Sequence, residues 1–575
     1  MEEKELKPDS NGRIKIDSWM QFIIIATVAV LISVFCTFIH LRLDLTEDHR
    51  YTLSGPTHKV LSGLKNDVFV QVYLDGEMEI AFKKLRRSVK EMLDEFRVAS
   101  GKKVDYEFIN PSTGKDAKTR NNQYQALSRK GLNPVNIRAK DNEGRTSQKI
   151  IFPGMIVNYN GIEVPINFLS NNNLLSFEQN LLNSVEGLEY QMIQTISTLC
   201  SDTIYKVAFI EGHGEIPKIE TADLTLGLAN FFSIDRGVIG GKQGVLNNYA
   251  AIIIAGPETA FNEKDKLVID QYIMNGGKVL WLFEEVKVNE DSLSSGETVA
   301  LYRPLNIEDQ LFKYGVRVNP ALVQDHDCYF LPIKVATGTS QQQIVPMPWV
   351  YYPLLYPSSV NPITRNLNKV LGKFVNCIDT VDPDPNVKKK ILLTTSGLSR
   401  IVKPPLLISL KEIDSPPEKN LYNRSFLPVA LLLEGKFQSA FRNRMLDDLV
   451  DDKNFRITEV SKPTKMIIVS DADIIRNGVN RTGTEETPLP LGQDILTQVP
   501  WGNKDFLINC LNYLVDYNGI IELRSRELKL RLLDKNVIRQ SRVPIQILNT
   551  VLPVFLVIIC GWIYNYFRKR KYTKY

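Results

Sequence analysis

Residues 206–215 read KVAFIEGHGE, a short apolar run that ends in a polar turn containing two glycines. The same design recurs downstream. AIIIA (251–255) stops at Gly256-Pro257, and KVLWLF (278–283) stops at Glu284-Glu285. ILLTT (391–395) stops at Ser396-Gly397, and MIIV (466–469) stops at Ser470-Asp471-Ala472-Asp473. Continuous apolar strands of this length are buried on both faces, and helical patterns such as residues 263–274 lie between several of them. The fold class is therefore α/β, with a Rossmann-like parallel sheet covered by helices on both sides. Ligands of such sheets collect at the carboxyl ends of the strands, where these polar turns fall.

Upstream the periodicity differs. Ser54 is placed to cap a helix whose first turn holds Pro56. VFVQVYL (68–74) alternates as a strand, and residues 80–99 carry Ile80, Leu85, Val89, Met92, Leu93 and Phe96 at helical spacing. Residues 104–109 alternate again. Residues 149–152 and 155–158 predict short strands, and Asn160-Gly161 predicts a hairpin returning through 162–166. Residues 177–199 predict one long helix. Strand, helix, strand, hairpin, helix is the order of a thioredoxin-like layer, here without a cysteine pair. Further along, residues 331–363 hold six prolines and predict an extended excursion. Residues 503–517 predict a helix capped by Asn503, and residues 520–540 a short strand followed by a basic helix.

Both ends are apolar. Residues 19–39 (WMQFIIIATVAVLISVFCTFI) carry no charge, and as a helix they span about 31 Å, enough for a hydrocarbon core of roughly 30 Å. The run is too long for a signal-peptide core, and no A-x-A-like site follows it. The second segment, 543–567, has its apolar heart at 551–564, and Arg568-Lys569-Arg570-Lys571 follow at once. The positive-inside rule places that tail in the cytoplasm. Two spans then put both termini in the cytoplasm and the long loop in the periplasm of a Gram-negative cell. The division expected is a cytoplasmic tail (1–18), a transmembrane helix (19–40), a thioredoxin-like domain (41–200) and a Rossmann-like domain (201–520). A basic juxtamembrane segment (521–542), a second transmembrane helix (543–567) and a basic tail (568–575) complete it.

The 575 residues are 43% apolar and 23% charged, which excludes wholesale disorder and a polytopic membrane protein. A net charge of +5 from 70 basic and 65 acidic residues gives no reason to expect nucleic acid. The six cysteines include no C-x-x-C, so neither zinc nor a redox pair is expected. No G-x-x-x-x-G-K-[ST] loop occurs, and no G-x-S-x-G elbow. No catalytic residue, cofactor or metal is assigned.

Three polar clusters remain. In Glu211-Gly212-His213-Gly214-Glu215, His213 could act as a base or as a metal ligand with Glu211 and Glu215. The plain alternative is a glycine-permitted turn that bonds backbone groups, and removing His213 is then expected to leave the fold intact. Asp325-His326-Asp327 and Asp471-Ala472-Asp473 are dense in carboxylates, which hold hard cations but equally form turns and caps. The basic stretch 524–542, with Arg524, Arg526, Lys529 and Arg531, could contact anionic lipid or a partner, or be a solvated face.

DLTEDHRYTLS (44–54) directly after an N-terminal anchor resembles the start of the GldG family of gliding-motility proteins, auxiliary components of ABC transporters in Bacteroidetes. The resemblance continues through EGHGE (211–215), VALLLEGKF (429–437), SDADIIRN (470–477) and GNKDFLINCLNYLV (502–515), and it ends with the C-terminal anchor. It implies a periplasmic domain related to intraflagellar-transport-type and glutamine-amidotransferase-like folds. It also implies an inner-membrane location, and partnership with a separate permease and, through it, a cytoplasmic ATPase. It supplies no catalytic residues and no transported substrate. Two readings stand: a non-enzymatic, doubly anchored accessory subunit, or a membrane-tethered periplasmic hydrolase using the strand-end acids and His213.

Overall fold

The computed structural model describes residues 19–31 except 21, residue 33, and residues 52–572 with gaps. The gaps are 77, 114–115, 141–145, 170–171, 173–174, 202, 338–340, 382–384, 415, 445–455, 482–485, 495, 498–499, 517 and 526–540. The chain forms two units, one of residues 52–526 and one made of the two ends, 1–51 with 527–575.

The larger unit begins with α1 (Gly55–Ser62), whose cap Ser54 accepts the Thr57 amide, as the sequence predicts. A four-stranded sheet follows, in the order β2-β1-β3-β4, from β1 (Val68–Val72), β2 (Val104–Phe108), β3 (Gly154–Tyr159) and β4 (Ile162–Asn167). β1 runs parallel to β2 and antiparallel to β3. Asn160 and Gly161, at φ +52° and +84°, make the tight β3–β4 turn that only such residues enter cheaply. α2 (Ile80–Ala99) covers the sheet. Its stripe Phe82, Leu85, Val89, Leu93 and Phe96 is wholly buried, each side chain contributing roughly 1.5–3 kcal/mol. The long helix expected over 177–199 is two helices, α3 (Phe177–Glu186) and α4 (Leu188–Cys200), broken at Gly187. The strand expected over 149–152 is the second arm of a hairpin, Thr146–Ile151, whose first arm Val135–Lys140 was not anticipated, nor was a helix Ala117–Arg129.

The second layer is a ten-stranded sheet. Its main path uses β5 (Lys206–Glu211), β6 (Ser233–Val238), β7 (Ala251–Ala255), β8 (Val279–Leu282), β9 (Cys328–Thr337), β10 (Gln341–Pro357), β11 (Lys388–Thr394), β12 (Pro428–Gly435) and β13 (Thr464–Val469). The order is β9-β10-β11-β12-β13-β8-β7-β5-β6. From β6 to β13 every pairing is parallel. Beyond β13 the sheet turns antiparallel, so the expectation of a wholly parallel sheet is corrected. β11 still points the same way as β13, because two antiparallel steps separate them. The proline-rich excursion is in fact the β9–β10 hairpin, in which Pro332 sits opposite Pro346. Prolines are tolerated there because the hairpin lies at the end of the sheet, where fewer ladder bonds are required.

Both faces of the parallel part are buried. Val207, Phe209, Ile253, Leu280, Leu282 and Ile467 face one core, and that core runs on without interruption into the first layer through Val70, Phe82 and Phe168. Ala208, Ile210, Ile252, Ile254, Trp281 and Ile468 face the other. α5 (Ala222–Leu228) and α7 (Asn503–Val515) pack on the first face, and α6 (Glu263–Met274) on the second. Gly502, not Asn503, occupies the α7 cap position. Asn503 instead spends its amide on the backbone of Leu371 and on the carbonyl of Ile474. Residues 520–525 are a 3-10 turn rather than a strand, and the basic helix expected after them lies outside the described residues.

In the other unit, α8 (Arg542–Tyr572) is long and apolar enough over Val543–Arg570 to cross a membrane, and its apolar side chains are exposed. At the opposite end Phe22–Leu31 is an apolar helix. The remainder of the span expected there lies outside the described residues.

Candidate functional site

The strand order reverses between β5 and β7, because β6 lies on one side of β5 and β7 on the other. The carboxyl ends of these two strands are where an open α/β sheet presents its crevice. Here the EGHGE turn fills that place. The carbonyl of His213 accepts the amides of Glu258 and Thr259, both at 2.8 Å, lacing the loop after β5 to the loop after β7. Gly212 and Gly214 sit at φ +116° and +78°, and a Cβ on Gly214 would come within 3.1 Å of Glu258. The glycines are therefore required by the fold.

His213 is buried. Its Nδ1 lies 3.2 Å from Glu215 Oε1, its Nε2 3.1 Å from Asp265 Oδ2, and its ring stacks on Phe261 at 3.8 Å. Burial works against the imidazolium, but Glu215 and Asp265 outweigh it and raise the histidine above its ordinary value. Glu215 also accepts the His213 amide at 2.7 Å, and Asp265 accepts the Gly241 amide at 2.7 Å. The imidazolium is thus enclosed between two carboxylates, and neither ring nitrogen is left for a substrate. Glu211 points elsewhere, to Arg236 at 3.1 Å. This geometry argues against the expectation that removing His213 leaves the fold intact.

The accessible polar cleft lies two strands away, at the ends of β8 and β13. There Glu284, Asp471 and Asp473 bring carboxylate oxygens within 4.8 Å of one another. A cleft of about 470 Å³ opens over Glu284 and Asp473, with Glu220, Arg303, Arg476 and Arg481 also in its walls. Asp471 lies beneath it, fully buried, accepting the amides of Lys373 and Asp473. Burial pushes Asp471 well above the carboxylate range, and the charges of Asp473 and Glu284 add to this. Burial raises Glu284 to about 7, helped by Asp473 and opposed by Arg303 and Arg476. The next residue, Glu285, is pushed up to about 8 by burial and then by Glu308. Basic groups answer the acids: Arg303 lies 3.2 Å from Glu284, and Arg476 bridges Asp473 and Glu220.

The trio is a hard-cation donor set in type. Guanidinium groups pair with two of the three, Arg303 with Glu284 and Arg476 with Asp473, while Asp471 is held by backbone amides. Asp325-His326-Asp327 resolves as a turn, in which Asp325 is buried and accepts from Ser396, Ser399 and the Asp327 amide. Arg524 is turned into the larger unit, donating to the carbonyls of Pro362 and Arg365 and lying over the Tyr190 ring. Arg526, Lys529 and Arg531 lie outside the described residues.

The sequence brought Asp471 and Asp473 to notice but not their partners. Asp265 reads as an ordinary first-turn acid after the cap Asn262, and nothing local ties it to a histidine 52 positions earlier. Glu284 was visible only as the residue that stops a strand. The clustering of Arg303, Arg476 and Lys373 around these acids had no sequence signal.

The model of a family described as an ABC-type uncharacterized transport system matches residues 205–510, more than half of the chain. The chain belongs to this family. The match opens at the edge of β5 and closes inside α7, so the whole second layer of this ABC transport family member falls within it. A second model, a domain of unknown function (DUF7088), matches residues 47–158 in the first layer. No curated protein matches. Among solved structures the chain is similar to one titled "mmIFT52 N-terminal domain", at 14% identity and a TM-score of 0.30, covering 54% of this chain and 96% of that one. It is also similar to a putative thua-like protein from Parabacteroides merdae, at 11% identity and a TM-score of 0.26, covering 54% and 90%.

Proposed function

We propose that the chain is a non-enzymatic accessory subunit of an ABC transport complex that serves gliding motility in a Bacteroidetes cell. It is held in the inner membrane by a helix at each end. Its thioredoxin-like and Rossmann-like layers lie in the periplasm, and both termini lie in the cytoplasm. It acts by contacting a permease and, through it, a cytoplasmic ATPase, with membrane lipids around its anchors. It needs no cofactor.

The observation that carries this reading is the family match over 205–510. The exposed apolar helix α8 supports a membrane location for the same chain. The enclosed His213 speaks against the hydrolase alternative, since a general base must reach the proton it removes. Two anchors also raise the effective concentration of the soluble body at its partner, so a weak direct contact suffices.

The test is affinity purification of the full-length protein from mildly solubilised membranes, with mass spectrometry of what accompanies it. A permease and an ATPase subunit are expected in stoichiometric amounts. Recovery of the intact protein without either would overturn the proposal. Reporter fusions at residue 250 and at the C-terminus should report opposite sides of the membrane, and the same side would refute the topology.

A further inference from the structure

A cavity of about 330 Å³ lies between α3 and α4, the 365–368 loop and the first turns of α7. It is remote in sequence from the strand-end turns. Its 365–368 wall is pinned from several sides. Asn172 donates to the carbonyl of Leu367, Asn509 to that of Ile363, and Arg524 to those of Pro362 and Arg365. The Gly502 amide donates to Lys369. The shape is therefore built into the fold and does not wait for a ligand.

The chemistry of the walls is unusual. Six carboxamides line them: Asn183, Gln191, Asn366, Asn368 and Asn509, together with Asn167, whose amide is already bonded to the backbone of Gly131 and Asn133. Two acids, Glu186 and Asp505, face two bases, Arg365 and Arg524, so the cavity carries no net formal charge. Asp505 is solvent-exposed at the wall, yet the protein packed around it pushes its carboxyl up, against the pull of Arg524 and Lys504. Trp501 adds an aromatic surface. Leaving Arg365 aside, three buried polar atoms of the lining residues have no hydrogen-bond partner among the described residues. They are the donors Asn368 Nδ2 and Trp501 Nε1 and the acceptor Gln191 Oε1, and Asn368 itself is only 7% exposed.

We infer that this cavity binds a neutral saccharide of one or two rings, a role that goes beyond the transport reading and does not depend on it. A carboxamide presents a donor and an acceptor side by side, which matches neighbouring ring hydroxyls that each donate and accept. The aromatic surface matches the C–H face of a sugar ring. Balanced charge favours neither an anion nor a cation, and an apolar ligand would leave the amides unpaired. The volume is at the lower end of ligand pockets, roughly 300–1,000 Å³, which limits the ligand to a small saccharide.

Gly187 supplies a plug that removes no hydrogen bond. It lines the cavity at helical φ, and a Cβ there meets only the carbonyl oxygens of Asn183 and Ser184, at 3.4 and 3.8 Å. The experiment uses the full-length protein in lipid nanodiscs, since glucoside or maltoside detergents would themselves compete. Glucose, galactose, N-acetylglucosamine, its β-1,4 dimer, maltose and cellobiose are titrated by saturation-transfer NMR and calorimetry, with acetate and ethylamine as charged controls. Expected is saturable binding of at least one saccharide with Kd below about 5 mM. Gly187→Leu and, separately, Gln191→Ala should weaken it at least tenfold with little change in melting temperature. No binding of any saccharide by the wild type overturns the inference. So does binding that neither variant weakens, or tighter binding of a charged control.

Discussion

The His213 turn and the Glu284–Asp471–Asp473 cleft sit on the same edge of one sheet, yet they resolve their charges in opposite ways. In the turn, one imidazolium lies between two carboxylates with every strong donor answered, and the site is closed. In the cleft, the acids crowd one another and burial drives two of them up, while the guanidinium groups that answer them lie in a wall open to solvent. Polar density at a strand end therefore says little about use. What distinguishes the two places is whether partners from other elements close over the charge.

The sharpest attack on this contrast is His213→Ala. It leaves Glu215 and Asp265 buried without their cation, and breaking such a buried pair costs roughly 3–5 kcal/mol. Denaturant unfolding of the variant should show a large loss of midpoint. A change within error would mean that the turn is no more closed than the cleft.

An intermediate effect is expected from Glu284→Gln with Glu285→Gln. Both acids have folded values above their unfolded ones, so the stability they favour is complete at low pH and is lost as pH rises through about 7 and 8. The double variant should flatten the decline of melting temperature between pH 5 and 9, and stand above the wild type at pH 9. His213, also raised, keeps its contribution below 6.5 and loses it above. Some decline must therefore survive in the double variant. A curve that becomes flat would show that the turn contributes nothing.

The smallest effect is expected from Lys287→Ala. Its pair with Glu258 lies 3.2 Å apart on the rim of the same cleft, with both side chains about half exposed. Such pairs are worth about 0–1 kcal/mol and fade with salt. A loss above 1 kcal/mol would show that the rim, too, is part of the closed network.

Much of the layered organisation was legible. The alternation of residues 68–72, the helix over 80–99 and the Asn160-Gly161 turn were read correctly because each is a local pattern answering to one buried face, although Ile80, expected in the helix's apolar stripe, is exposed and Phe82 is buried instead. The apolar runs at 206–211, 251–255, 279–282 and 464–469 were read as neighbours in a parallel sheet for the same reason. Residues 388–394 misled, since a buried strand reads alike whether its neighbour is parallel or antiparallel. The broken helix at Gly187 was missed because apolar spacing continues across it. Of the candidate sites, Asp471 and Asp473 were noticed by density alone, and the cavity lined by Asn368 and Gln191 left no trace in sequence.

The sequence by itself determined the class of the layers, the apolar ends and the positions of the polar turns, since these depend on periodicity and on residues within a few positions of one another. The tertiary structure alone decided what the turns do. His213 acquires its meaning from Asp265 across 52 positions, and Asp471 from the amide of Lys373 across 98. Local patterns record burial, which one segment can encode. Charge compensation is a pairwise property of segments far apart in the chain, and only folding brings the pairs together.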